Sequence, residues 1–173
     1  MGIVSGDSKR SEGSDSARAA KVRYLTYNLN RLPFACALDR IQEVMGLQPI
    51  LALPDAPSFV SGAIRVHKKL IPVIDLRCML GLPARVSNRR NCILLLRVGE
   101  GLQVTQVGAI VDSVSEVVDV HPYEVRETSQ AAAGERTGLI TGTMRIRGRL
   151  TRLLNVDVLL TSEERTTITS IAA

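Results

Sequence analysis

Tryptophan is absent from this chain, and three tyrosines and two phenylalanines are its only aromatic residues apart from histidine. Its core must therefore be aliphatic. The few rings do not interleave with basic residues, as the stacking platform of a single-strand binder would require. Histidine occurs twice, at His67 and His121, with no cysteine or carboxylate at ligand spacing beside either. Both are expected in surface turns, and no metal site is expected. Cys36, Cys78 and Cys92 are odd in number and unpatterned in spacing, which argues against a disulfide frame or a Cys-x-x-Cys zinc site. No apolar run approaches the roughly 18 residues of a spanning helix. The N-terminus lacks an apolar signal core, and Met1-Gly-Ile-Val-Ser-Gly6 lacks the Ser or Thr of the myristoylation pattern. The expectation is a soluble cytoplasmic protein with reduced thiols.

Signals for catalysis are as scarce. Gly99-x-Gly101-x-x-Val104 lacks the third glycine of a dinucleotide loop and joins two apparent strands, so Gly-Glu-Gly reads as a hairpin turn. There is no Gly-x-Ser-x-Gly elbow and no Walker loop. Asp39, Glu43, Asp75, Asp112 and Glu116 occur singly, without an evident catalytic pair. Neither an enzyme nor a cofactor is expected.

What is present is aliphatic sequence and positive charge. At 173 residues with a net charge of +5, the chain fits one ordinary domain or two small ones. The excess sits in the N-terminal tail (Lys9, Arg10, Arg18, Lys21, Arg23), in two hairpins, and in Arg85, Arg89 and Arg90. A solvated basic face that meets an acidic protein partner is the preferred reading, and a basic β-barrel that binds nucleic acid is the alternative.

The chain also repeats itself. Gly62-Ala-Ile-Arg-Val-His-Lys-Lys-Leu-Ile-Pro-Val-Ile-Asp-Leu is answered 80 residues later by Gly142-Thr-Met-Arg-Ile-Arg-Gly-Arg-Leu-Thr-Arg-Leu-Leu-Asn-Val. Gly62 falls opposite Gly142, Arg65 opposite Arg145 and Leu70 opposite Leu150. Upstream of each copy, Asp39-Arg-Ile-Gln-Glu-Val44 matches Asp112-Ser-Val-Ser-Glu-Val117 at an offset of 73. Ordered echoes at similar offsets imply two similar modules, each too small to hold much core alone.

Residues 1–21 are polar and expected to form a disordered tail. From Val22 onward, short β-type runs alternate with turns. Residues 23–29 put Leu25, Tyr27 and Leu29 on one face, and Asn30-Arg31 reads as a tight turn into residues 32–37. Leu38, Ile41, Val44 and Met45 fall at helical spacing and predict a turn or two of helix. Residues 50–53 read as a short strand among prolines, and 62–66 with 69–74 as a hairpin. Asp75 is placed to cap a short helix over 76–80, ended by Gly81. Residues 92–98 with 102–111 predict a second hairpin, 113–120 a half-buried segment and 130–137 a small-residue loop. Residues 140–154 repeat the hairpin, and Asn155 begins a C-terminal helix to Arg165. The expected architecture is all-β: barrels over 22–82 and 92–160, a linker at 83–91, a tail at 161–173, and end strands free to cross.

Four ordered blocks carry a family resemblance. They are Ile41-Gln-Glu-Val44, Leu53-Pro-Asp-Ala-Pro-Ser-Phe-Val-Ser-Gly62, Leu70-Ile-Pro-Val-Ile-Asp-Leu-Arg77 and Gly108-Ala-Ile-Val-Asp-Ser-Val-Ser-Glu-Val117. Together they resemble the CheW coupling proteins of bacterial chemotaxis, over about residues 22–160. The resemblance implies two SH3-like five-stranded β-barrels packed around a shared core, with short helices. It implies a non-enzymatic adaptor joining a chemoreceptor's cytoplasmic tip to the regulatory domain of a CheA-type histidine kinase, in the cytoplasm at inner-membrane arrays. It implies a receptor-contact set of Ile41, Glu43, Val44, Gly62, Arg65, His67, Lys68 and the inter-barrel groove position Val114, and a kinase surface on the second barrel with Arg147 and Gly148. By periodicity alone Ile41, Val44 and Val114 read as core, and Asp75 as a cap.

One block departs from the family. The usual Asn-Leu-Arg-Gly of the first hairpin is Arg65-Val66-His67-Lys68, whereas the second copy keeps Arg145-Ile-Arg-Gly148. Loss of the glycine predicts a change of turn type at 67–68. Loss of the arginine predicts altered receptor coupling with kinase binding retained, as in a specialised paralogue of a pilus-type system or of one dedicated kinase.

Overall fold

The structure, a computed structural model, describes residues 20–83, 88–128 and 138–172. The expected loop at 130–137, part of the linker and all but two residues of the N-terminal tail lie outside the described residues. Among the described residues eleven strands run in chain order: β1 (Val22–Leu29), β2 (Leu32–Ala37), β3 (Ile41–Gly46), β4 (Val60–Val66), β5 (Lys69–Asp75), β6 (Cys92–Val98), β7 (Thr105–Val111), β8 (Ser113–Val120), β9 (Arg126–Glu127), β10 (Ile140–Ile146) and β11 (Arg149–Leu154). Two α-helices join them, α1 (Leu76–Met79) and α2 (Ser162–Ala172), with single 3₁₀ turns at Leu38–Arg40, Pro122–Glu124 and Val156–Val158.

One sheet has the order β8-β1-β2-β11-β10-β9 and the other β3-β6-β7-β5-β4. Apart from the two-residue β9, the orders are the same, strand for strand, when β1, β2, β8, β11 and β10 are matched to β6, β7, β3, β5 and β4. This is the expected all-β architecture of two SH3-like units. Each sheet is assembled across the 83–91 connection, because each repeat gives its first hairpin to the other repeat's sheet. β1–β2 pair with β8 and, in parallel, with β11; β6–β7 pair with β3 and, in parallel, with β5.

The repeat is kept in register as well as in order. Val60 faces Ile74 and Gly62 faces Val73 across a bulge; Ile140 faces Leu154 and Gly142 faces Leu153 across another. β3 and β8 are bulged at matching places, with Glu43 facing Leu95 and Ile41 facing Leu96, as Glu116 faces Thr26 and Val114 faces Tyr27. Alternation along each strand divides the core. Ile93 and Leu95 point into their own sheet's cluster with Ile64, Ile71 and Val73, while Leu94 and Leu96 join a larger cluster with Tyr27, Phe34, Ile74 and Leu154. The larger cluster draws on both sheets and fastens them together.

Two helical expectations are corrected. The 38–45 stretch gives one 3₁₀ turn and then strand β3, because pairing with β6 outweighs a weak apolar periodicity. The C-terminal helix begins at Ser162, after a 3₁₀ turn capped by the Asn155 side chain, and runs past Arg165 to Ala172. The strand expected at 50–53 is reduced to a single bridge, Leu51 with Ala63. The α1 expectation holds: Asp75 accepts from the Arg77 amide at 3.0 Å.

Burial pushes the Cys36 thiol up to about 12, and the Asp39 carboxylate adds to the shift. Burial also holds the Tyr27 phenol well above its ordinary range, with Cys36 contributing. Both groups bind their protons more tightly folded than unfolded. Their contribution is therefore full below the unfolded values and is lost as pH rises toward the folded ones. Urea midpoints are expected to fall from about pH 9 upward. At pH 8 a thiol reagent is expected to modify exposed Cys78 and to reach Cys36 only after unfolding.

Candidate functional site

The sequence-derived residues fall on two matching corners, one per sheet. In the first, Glu43 on edge strand β3 faces the β4–β5 turn, with its Oε2 3.5 Å from His67 Nε2. In the second, Glu116 on edge strand β8 faces the β10–β11 turn, where Arg147 Nε and Nη2 lie 2.9 Å from its two oxygens. Each contact joins a hairpin tip to the strand at the opposite end of its own sheet, which requires the sheet to curl back on itself. Glu43 thus lies at the surface, one of the two places a carboxylate in an apolar run can go, with His67 beside it. Glu116 is the residue that sequence reasoning passed over. Its signal was already present in the matching Glu-Val pairs of the 73-residue echo.

The two turns share one conformation. His67 and Lys68 have φ of 49° and 66°, and Arg147 and Gly148 have 51° and 78°. The expected change of turn type at 67–68 is therefore overturned. A two-residue hairpin matches the twist of its strands only with both central residues left-handed, so Lys68 is held there at roughly 1–2 kcal/mol. What changed is the head group. Arginine grips Glu116 through a two-pronged fork, whereas His67 offers Glu43 one nitrogen.

The remaining residues divide by depth. Val44 is exposed on β3, like its counterpart Val117 on β8. Ile41 and Val114 are half-buried and pack against the shared core, so the two matching positions meet the same apolar cluster. Arg65 is exposed on β4, with Arg145 its counterpart on β10. Gly62 presents no surface: it is buried at φ 144°, and a Cβ there would stand 2.3 Å from the Leu51 carbonyl oxygen. Its role is to let residues 50–51 cross close over β4. Gly148 lies exposed at its turn with open space around it.

A further polar cluster lies below the surface. The Arg77 side chain is 5% exposed, with Nε 3.1 Å from Asp75 Oδ1 and Nη1 3.9 Å from Asp112 Oδ1. Asp112 in turn accepts from the Asn30 amide at 2.6 Å. One buried guanidinium thus links α1, the β7–β8 corner and the β1–β2 turn. Sequence reading recognised only the cap.

Residues 23–164 match the CheW-like domain family. The chain belongs to that family. Among curated relatives it is 26% identical over 141 residues to a chemotaxis protein CheW of Rhizobium meliloti, covering 82% of this chain and 88% of the relative. It is 24% identical over 149 residues to chemotaxis protein CheW of Klebsiella aerogenes, covering 86% and 87%. In fold it resembles the crystal structure of the scaffolding protein TtCheW from Thermoanaerobacter tengcongensis, with a TM-score of 0.73 at 21% identity, over 83% of this chain and 90% of that one. Within a CheW-like domain, then, the Glu43–His67 and Glu116–Arg147 corners are one feature made twice. Among the described residues no helix is long and apolar enough to cross a membrane.

Proposed function

We propose that this chain is a non-enzymatic adaptor of a chemosensory pathway, joining a chemoreceptor's cytoplasmic tip to the regulatory domain of a CheA-type histidine kinase. It works in the cytoplasm, recruited to receptor arrays at the inner membrane. The observation that carries this reading is the family match across residues 23–164. Two differentiated corners joined by one shared core support it, since an adaptor needs two faces that hold different partners. The receptor face comprises Ile41, Glu43, Val44, Arg65, His67, Lys68 and Val114, with Gly62 beneath it. The kinase face lies on the first sheet, at the β10–β11 turn with Arg147 and Gly148.

Affinity purification of the native protein is expected to recover a kinase and a receptor together. Recovery of neither, with nucleic acid bound along a steep salt slope instead, would overturn the reading. The altered turn gives a finer test. Because 67–68 keeps the conformation of 147–148, His67→Arg with Lys68→Gly should install the two-pronged grip on Glu43 and relieve the left-handed lysine. Affinity for a conventional receptor tip is expected to rise with kinase affinity unchanged, as measured by calorimetry on each partner. Two flat affinities, or a response of the kinase alone, would remove the hairpin as the receptor determinant.

A further inference from the structure

The two sheets are covered unequally. α2 follows β11 in the chain but packs against β5 of the other sheet, forming one wall of a groove over Leu70, Pro72 and Thr105. Arg165 of α2 anchors it there, donating to the Gln103 carbonyl at 2.9 Å. The repeat sets matching positions on the first sheet. By the hairpin offset, Leu150 matches Leu70 and Arg152 matches Pro72. By the parallel registers, in which Ala35 faces Leu153 as Gly108 faces Val73, Leu32 matches Thr105 and Asn30 matches Gln103. At Asn30 the partner is the connection between repeats, not a helix, and its side chain donates to the Pro83 carbonyl at 2.9 Å. The helices of the described residues pack chiefly on β5 and β7, strands of the other sheet.

The face left open exposes two leucines. Leu32 is 43% and Leu150 53% exposed, whereas Leu70 is half-buried and Thr105 is polar. Extending the Phe34–Arg152 register by two residues sets the two leucines side by side, and strand alternation puts them on one face. Arg31 and Arg149 adjoin them in the chain, Arg152 follows Leu150 on the same face of β11, and Arg149 reaches across to the Arg31 carbonyl at 3.3 Å. None of the three is in an ion pair with a described carboxylate.

We propose that the Leu32–Leu150 face is a docking surface distinct from the two corners, and that it takes one amphipathic helix with acidic flanks from a partner protein. Two observations choose the occupant. The same chain seats a helix on the matching face of its other sheet, and three unpaired arginines near two exposed leucines complement a helix that has glutamates beside an apolar stripe.

The test uses the full chain and a synthetic helical peptide of about three turns, with leucines at i, i+4 and i+7 flanked by glutamates. Fluorescence anisotropy is measured for the parent protein, Leu32→Ser, Leu150→Ser and the control Leu102→Ser, which alters a fully exposed leucine in the β6–β7 loop. Salt-sensitive binding is expected, weakened roughly tenfold by either face substitution and unchanged by the control. A lysine-for-glutamate peptide is expected not to bind. Both substituted leucines are exposed, so unchanged thermal midpoints should confirm that the variants fold. Equal binding by all variants, or by both peptides, overturns the proposal. So does a protein dimer that Leu150→Ser dissolves, since a second copy would then own the face. Kinase and receptor binding should survive in both face variants; loss of either would assign the face to the adaptor's ordinary partners.

Discussion

A fragment of residues 88–173 expressed alone is expected to show no cooperative unfolding transition, and a fragment of residues 1–83 is expected to behave likewise. Mixed together, the two should regain the fold. The reason is the exchange of first hairpins. Without β1–β2, the first sheet loses two adjacent central strands, leaving β8 and β11 with no partner between them. The shared core loses Leu25, Tyr27, Leu29, Phe34 and Cys36 at once. At about 1.5–3 kcal/mol for each large buried side chain, that loss is as large as the roughly 5–15 kcal/mol by which a domain is stable. The converse fragment loses β6–β7 from the middle of the other sheet. Circular dichroism and amide spectra of the fragments, separate and mixed, check this. Two independently folded halves would show that the modules are self-sufficient and that the exchange between sheets is dispensable.

Gly62→Val is expected to cost about 4 kcal/mol, and Gly142→Ala much less, although the two glycines occupy matching places. The Gly62 backbone sits at φ 144°, where side-chain-bearing residues are strained, and its missing Cβ would meet the Leu51 carbonyl oxygen at 2.3 Å and Ile50 Cγ2 at 2.6 Å. Backbone cannot step aside as a side chain can. At Gly142 the nearest atoms are Val125 Cγ1 at 2.9 Å and the Arg126 carbonyl oxygen at 3.0 Å, so a small shift suffices. Thermal melts should separate the pair by roughly 10 °C or more. Partner binding by the Gly62 variant should fall only as far as its folded fraction falls. Loss of binding at full stability would make residue 62 a contact after all.

Local features were readable wherever local chemistry decided them. The β4–β5 and β10–β11 hairpins, the Asn30–Arg31 turn and the Asp75 cap all appear as expected. Helical spacing at Leu38, Ile41, Val44 and Met45 misled, because four apolar positions fit either period and only pairing with β6 decides between them. The exchange of hairpins was not legible beyond the general allowance that end strands cross. A strand in the other repeat's sheet has the same alternation as one in its own. For the site, the echo pointed to Glu43 and to its matching position, but nothing local says that either reaches a turn more than 20 residues away. The Arg77 cluster was hidden for the same reason, since its acids lie 2 and 35 positions along the chain.

The parallel ladder between β2 and β11 has a consequence for synthesis of the chain. Phe34, Ala35 and Cys36 must wait for Arg152, Leu153 and Leu154, which are synthesised 118 residues later. Closing so long a loop late makes for a high contact order and slow folding. Until then the edge of β2 stays open beside a buried-type apolar strand, the kind of template on which nascent chains aggregate. β5 and β7, by contrast, are complete much earlier and can join as soon as both have emerged. The second sheet should therefore form first, and the nascent chain should depend on chaperones for as long as β2 lacks its neighbour.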